Sequence, residues 1–383
     1  MVWLKNQLIS FYFWLAAVCV ASNIYLLIPM YSHLADGLSS TYEEAVFSST
    51  IFTFCYAIGL LSFGPISKAF SKRYVLCLGM FASFLLTFSL ATAGSLQNFY
   101  ILRGIQGIVL GSFAPVAYAY CFDAFSVKRR TFVIAIINTG FLMAGIIGQL
   151  ISSTLVHAYH WQAVFYFLSG SYLFLSICAI FLLPKVNKNK PVHKIPSSPS
   201  SNKLFHAPVT IGLCMTFITL MSFVAFYEEL AQYYAGQEKE LFLSRSIALI
   251  GTPLSLLSGH WFSKSSPQKI MLICLSIMIL SFAFMLHVKQ LVIITVLSIF
   301  FVSAIAVFIP SLITFIGEAA AERRATAISL YSFILLTGAS LGPIVSSALS
   351  FQSTLILFIA LFGIGFLALI QYRKNPKKQA KNS

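Results

Sequence analysis

Apolar runs of about twenty residues recur along almost the whole of this 383-residue chain, and no other feature restricts its folding as strongly. A helix needs about 20 such residues to cross a bilayer. They lie near 10–32, 44–64, 74–94, 97–121, 131–155, 162–183, 207–229, 241–260, 270–287, 290–316, 325–348 and 351–371, which predicts twelve transmembrane helices. Only 9% of the residues are charged and the mean hydropathy is +0.87, too little polarity to clothe a soluble domain. A β-barrel would show segments of about ten residues alternating in polarity, whereas Leu76 to Leu90 is apolar on every face. Lys5 before an apolar run imitates a secretory signal. No small-residue cleavage site follows, so the run is expected to remain as the first span.

The remaining charge sets an orientation, because loops rich in Lys and Arg stay on the cytoplasmic side. With the N-terminus inside, 21 of the 25 basic residues fall in inner loops and tails, among them Lys68, Lys72, Arg73, Lys128, Arg129, Arg130, Arg323 and Arg324. Seven of the ten carboxylates, Asp36, Glu43, Glu44, Glu228, Glu229, Glu238 and Glu240, fall on the opposite side. Both termini are thus expected in the cytoplasm of a multi-pass protein. The +15 net charge reads as an orientation device with some attraction to anionic lipid, and no nucleic-acid partner is expected.

Between the sixth and seventh runs, KVNKNKPVHKIPSSPSSNK cannot bury a core and reads as a linker. It divides the chain into an N-terminal six-helix bundle (1–183), a cytoplasmic linker (184–206) and a C-terminal bundle with a basic cytoplasmic tail (207–383). The halves match each other. Gly64, Ser71, Pro115 and Asp123 find Gly259, Ser266, Pro310 and Glu318 at a spacing of 195, and Arg129, Arg130, Gly148, Ser152 and Ser153 find Arg323, Arg324, Gly342, Ser346 and Ser347 at 194. Two repeats of like orientation are the plan of a secondary transporter whose substrate site lies near the bilayer midplane.

The seven cysteines form no CxxC pair and read as small apolar residues within spans. His157 and His160 flank one outer turn, but no carboxylate or cysteine completes a ligand set there, and no metal is assigned.

The stretch GPISKAFSKRYVL resembles the loop signature between spans two and three of the major facilitator superfamily, through Gly64, Ser67, Lys72, Arg73 and Leu76. It departs from that signature where Lys68 stands for the usual Asp and Ser71 for the second Gly. LRGIQG in the fourth span resembles the family's RxxQG element through Arg103, Gln106 and Gly107. The segment from Leu26 to Pro65 is similar to the first two spans of the twelve-span drug:proton antiporters and their bacterial relatives for sugar and metabolite efflux. The resemblance implies an all-α membrane protein of twelve helices in two pseudo-symmetric six-helix bundles, working as a monomer in the bacterial cytoplasmic (inner) membrane. It implies alternating access, a small-molecule substrate and an ion gradient, most simply of protons, with no bound cofactor.

Arg103 lies about 9 Å into its span, where a guanidinium is costly unless it faces protein or water. A bond to carbonyls of a neighbouring span and a role in substrate binding or coupling both explain it. Arg245, nearer a span end, can snorkel toward Glu228, Glu229 or Glu240. The other polar candidates for the cavity are Asn23, Tyr25, Gln106, Tyr118, Asn138, Tyr227, Glu228 and Tyr331, each of which could equally be an interface residue. No Asp or Glu lies deep in a span, which leaves the coupling ion open.

Gly140, Ala144, Gly148 and Ser152 recur at every fourth position in span five, and Gly338, Gly342 and Ser346 in span eleven. Such stripes let helices approach closely. The antiporters carry a GPxxGG-like element there, of which only Gly148 survives, so packing suffices to explain it. Asp123 and Glu318, each near an Arg-Arg pair, are expected to hold the cytoplasmic gate through arginine contacts, replacing the carboxylate missing at Lys68. The chain is expected to be a transporter, most simply a proton-coupled exporter of a drug, sugar, siderophore or other metabolite. Uptake by the same fold, a sensor that binds without transporting, and a membrane-embedded transferase are the other readings.

Overall fold

In a computed structural model of the chain, the described residues are 2–184, 205–234, 237–257 and 265–374. Most of the expected linker and the end of the basic tail lie outside them. Every regular element among the described residues is helical. Eleven of the helical segments are long and apolar enough to cross a membrane.

The N-terminal part begins with α1 (Val2–Tyr25), shorter at its far end than the predicted run to residue 32. Pro29 breaks the α-helical ladder, because it has no N–H to donate to the Tyr25 carbonyl four residues earlier and its ring crowds that carbonyl. A 3₁₀ turn (Ile28–Met30) and the short helix α2 (Tyr31–Gly37) follow. α3 (Tyr42–Ala69) opens on a reciprocal cap, in which Thr41 N–H donates to Glu44 Oε2 at 2.8 Å and Glu44 N–H donates to Thr41 Oγ1 at 3.3 Å. It then runs five residues past the predicted end of its span. Gly64, Pro65 and Lys68 therefore lie in a helix, and the connection to α4 (Lys72–Ala91) is only Phe70 and Ser71.

α5 (Leu96–Leu110) and α6 (Phe113–Ala124) together make the fourth span, interrupted at Gly111 and Ser112. α7 (Val127–Ala158) and α8 (Trp161–Leu182) complete this part. Within it α3 packs on α5 and α4 on α8.

The C-terminal part comprises α9 (Ala207–Tyr233), α10 (Glu238–Ala248), a 3₁₀ segment (Leu249–Leu257), α11 (Pro267–Met285), α12 (Leu291–Ala319), α13 (Arg324–Ala348) and α14 (Phe351–Lys374). α13 and α14 pack on α9, and α11 on α12 and α14. The predicted eighth span is the exception to a regular pattern. Its described portion changes from α to 3₁₀ geometry before Pro253, which cannot donate to an α-helical ladder.

The chain divides into two compact units, Met1–Ala124 with Ile136–Lys188, and Phe125–Ala135 with Asn189–Ser383. Residues 125–135, which sequence assigns to the first bundle, belong by their contacts to the second unit.

The small-residue stripes are packing surfaces inside each unit. A Cβ on Gly140 would meet Trp14 O at 2.8 Å, and one on Gly148 would meet Ser22 Cβ at 2.8 Å. Ala144 O accepts from Ser22 Oγ at 3.4 Å and Leu26 O from Ser152 Oγ at 2.6 Å, so the whole α7 stripe lies along α1. Gly338 and Gly342 bring α13 equally close to Phe217 O and Val224 on α9. All seven cysteines are unpaired. Cys214 differs from the expectation of burial, being exposed on α9.

Candidate functional site

α5 reaches the interior of the first unit because its glycines permit it. A Cβ on Gly107 would lie 2.5 Å from Phe52 O, and one on Gly111 would lie 2.7 Å from Leu60 N. With α5 pressed on α3, the guanidinium of Arg103 lies 4.1 Å above the Phe52 ring, at the distance of a cation–π contact. Arg103 is 0% exposed. Its Nη1 donates to Gln106 Oε1 at 2.8 Å, and Gln106 Nε2 donates to Thr87 Oγ1 at 2.8 Å.

The other terminal nitrogen, Arg103 Nη2, donates to Asn23 O at 3.1 Å. That carbonyl is in the last turn of α1, where the final carbonyls lack helical donors and carry the negative end of the helix dipole. The arginine thus caps the helix that Pro29 ends. Asn23 Nδ2 donates to Cys19 O at 2.9 Å and to Tyr172 OH, and the Tyr172 hydroxyl donates to Cys19 O at 2.9 Å. Arg103 Nε and Asn23 Oδ1 have no hydrogen-bond partner among the described residues, and no carboxylate there pairs with the cation.

Tyr118 and Asn138 also meet, the hydroxyl donating to Asn138 Oδ1 at 2.9 Å. Tyr25 ends α1 and lies against Gly145. Thr87 and Tyr172 escaped sequence reading because a single hydroxyl inside an apolar helix carries no spacing signal. A cleft of about 110 Å³ between α1, α7 and α8 has mostly apolar walls, including Trp14, Ile147 and Phe167, and none of the polar candidates lines it.

In the second unit, Tyr331 is buried in α13 and Tyr227 in α9. Arg245 does not pair with the carboxylates expected for it. Its Nη2 donates to Tyr227 O at 2.6 Å and its guanidinium lies 5.6 Å from the Tyr227 ring centroid. Glu228 is exposed, while its neighbour Glu229 is 4% exposed and accepts from Thr354 Oγ1 at 3.4 Å.

Two ion pairs mark the helix ends near the Arg-Arg motifs. Asp123 takes Lys72 at 2.6 Å instead of an arginine, whereas Glu318 takes Arg130 at 2.7 Å. Both carboxylates sit in the last turn of a helix, where negative charge opposes the dipole, so a cation there offsets an intrinsic penalty. The repeat explains why their partners differ. Ser71 and Ser266 are both N-cap residues, but the next position is Lys72 in one copy and Pro267 in the other, which leaves Glu318 no matching lysine. Arg324 Nε caps α12 by donating to Gly317 O at 2.7 Å, and Arg129 lies 5.5 Å from the Phe132 ring centroid. Arg73 Nη2 donates to Ile180 O, Arg323 is exposed, and the side chain of Lys68 lies outside the described residues. Among the described residues no group of three or more His, Cys, Asp or Glu could hold a metal ion.

The Major Facilitator Superfamily model matches residues 13–303 and 241–383, together nearly the whole chain. The chain belongs to the Major Facilitator Superfamily. Among curated members, the bicyclomycin resistance protein homolog of Haemophilus influenzae is 26% identical over 43% of this chain and 41% of its own length. Multidrug resistance protein MdtM of Escherichia coli is 31% identical over 42% of this chain and 41% of its length. The matched part thus spans about two fifths of either relative. An uncharacterised superfamily transporter of Bacillus subtilis, YwfA, is 22% identical over 92% of this chain and 89% of its length.

The fold is that of solved superfamily transporters. The proton:xylose symporter XylE superposes with a TM-score of 0.73 at 12% identity, over 96% of each chain. The human organic anion transporter MFSD10 superposes at 0.72 with 14% identity, over 95% of this chain and 99% of its own.

Proposed function

We propose that this superfamily member is a secondary active transporter that exports a small organic molecule across the bacterial cytoplasmic membrane, driven by a proton gradient through alternating access. The observation that carries the reading is the wholly buried Arg103 guanidinium, held by Gln106, the Asn23 carbonyl and the Phe52 ring with no carboxylate among the described residues. A bundle gains little stability from a cation that apolar packing could replace. Arg103 instead fastens a discontinuous first span to α5, and broken helices commonly line transporter sites. The names of the resistance-protein relatives favour export of a drug-like molecule over uptake.

In this reading the Lys72–Asp123 and Arg130–Glu318 pairs hold the cytoplasmic gate and are released when it opens. Both termini face the cytoplasm, and the monomer is the working unit.

The deciding experiment is a thermal-stability screen of the purified protein against antibiotics, sugars, amino acids and siderophores, followed by transport of each stabilising compound in proteoliposomes. A specific ligand raises the unfolding temperature by mass action. Export of the stabilising compound, lost when the proton gradient is collapsed, is expected. Accumulation in the uptake direction would replace export by import, and binding without flux would make the protein a sensor.

A further inference from the structure

Sequence reading put Glu228, and not Glu229, among the cavity candidates at the far end of α9, and the fold reverses that choice. One residue along a helix turns a side chain by about 100°. Glu228 consequently faces out, while Glu229 turns in toward Thr354 on α14, on a stretch of α9 whose Phe226 and Leu230 are also buried. Among the described residues Glu229 is the one buried carboxylate.

Its surroundings do not suit a permanent anion. The hydrogen bond from Thr354 is long at 3.4 Å, and no cation among the described residues pairs with it. Among the described residues, the charged groups nearest this end of α9 are engaged elsewhere or exposed. Arg245 on α10 holds the Tyr227 carbonyl, Glu240 is exposed, and His287 and Lys289 before α12 are exposed. Tyr234 donates its hydroxyl to Lys289 O, and Tyr233 stacks on Phe351. Residues 291–300 of α12, 338–348 of α13 and 351–360 of α14, on the helices packed against α9, contain no titratable side chain. An isolated buried carboxylate is costly, whereas the protonated acid is neutral and can donate a hydrogen bond. A route for exchange is short. Glu229 lies four residues before the end of α9, about 6 Å along the axis, beside the exposed Glu228 and Tyr233.

We propose that Glu229 is the proton-carrying residue of the transport cycle, taking up a proton when closed among its apolar neighbours and releasing it when water reaches the end of α9. The assignment rests on the proton-coupled transporter reading above. It places coupling in the second unit, apart from the Arg103 network of the first. Thr354 positions the carboxyl and is not itself a carrier.

Infrared difference spectroscopy of the purified full-length protein tests proton occupancy without any substrate. At about pH 7 a carboxyl in water, with an ordinary pKa near 4, is ionised, so a protonated-acid carbonyl band reports a buried group. The band is expected in the wild type and in Glu228→Gln and absent in Glu229→Gln. A wild type without it, or a Glu229→Gln protein that keeps it, overturns the proposal. The coupling role is read in inverted vesicles with ethidium as the probe. Glu229→Gln should lose at least tenfold of the accumulation driven by an imposed pH gradient while retaining ethidium exchange at equal pH, and Glu229→Asp should recover part of it. Gradient-driven accumulation at the wild-type rate in Glu229→Gln also overturns the proposal. A wild type that moves no ethidium counts against a drug-like substrate, and the infrared band then decides for or against Glu229.

Discussion

Arg130, in the first turn of α7, forms a 2.7 Å ion pair with Glu318, in the last turn of α12. The arginine side chain is 6% exposed and the carboxylate 32%, so the pair is screened more than a buried one. Exposed pairs contribute at most about 1 kcal/mol. An imbalance of about 1.4 kcal/mol already changes a two-state ratio tenfold, which makes so small a contact sufficient for a gate.

Glu318→Gln combined with Asp123→Asn should therefore loosen the heads of α7 and α4, which Arg130 and Lys72 respectively tie down. The reporter is a cysteine at the buried Thr131 in a background free of native cysteines, labelled by a water-soluble maleimide. Labelling should speed up about 3–10-fold, in proportion to about 1 kcal/mol. An unchanged rate would mean that packing alone holds the helix.

Arg103→Ala should reach the membrane at wild-type levels and lose transport of the compound found by stability screening by more than about tenfold, the equivalent of one or two lost charge-assisted hydrogen bonds. Arg103→Lys keeps the charge but cannot reach Gln106 and the Asn23 carbonyl with one planar fork, so it should recover little. Normal transport by Arg103→Ala would reduce the residue to a cap on α1.

Gly148→Leu should destabilise the first unit by about 1–3 kcal/mol through overpacking against Ser22. A methyl group added at Gly170 in α8 would meet nothing within 4 Å, so Gly170→Ala should stabilise by about 0.5–1 kcal/mol through helix propensity. Thermal unfolding of the two variants in one detergent gives both signs at once.

A cysteine introduced at Ser200, outside the described residues, should resist membrane-impermeant maleimide in intact cells and react after permeabilisation. Ready labelling from outside would invert the proposed topology.

The spans were legible because bilayer crossing is a property of local composition, and the repeat because paired residues such as Asp123 and Glu318 kept their order. What composition could not show was direction around a helix axis. Glu228 and Glu229 are chemically identical neighbours, and only packing against α14 distinguishes them. Distance in sequence hid the rest. Lys72 was read as an orientation charge and meets Asp123 fifty-one positions later, while Arg103 finds its carbonyl eighty positions earlier. The predicted loop at Gly64 failed for another reason. A proline near a helix end breaks only the bond it would have donated, and α3 continues beyond Pro65 to Ala69.

The proline at position 267 has a consequence for how the two repeats can drift apart. A duplicated segment with a lysine in both copies would be electrically self-sufficient, and each copy could mutate without regard to the other. With Lys72 matched by Pro267, Glu318 depends on an arginine encoded almost two hundred codons upstream. Arg130 and Glu318 are thereby bound to a shared mutational fate, and a selection for suppressors of Arg130→Gln has an obvious place to look. Pro267→Lys would restore the lost local partner, return the second copy to the charge logic of the first, and release Arg130 to vary.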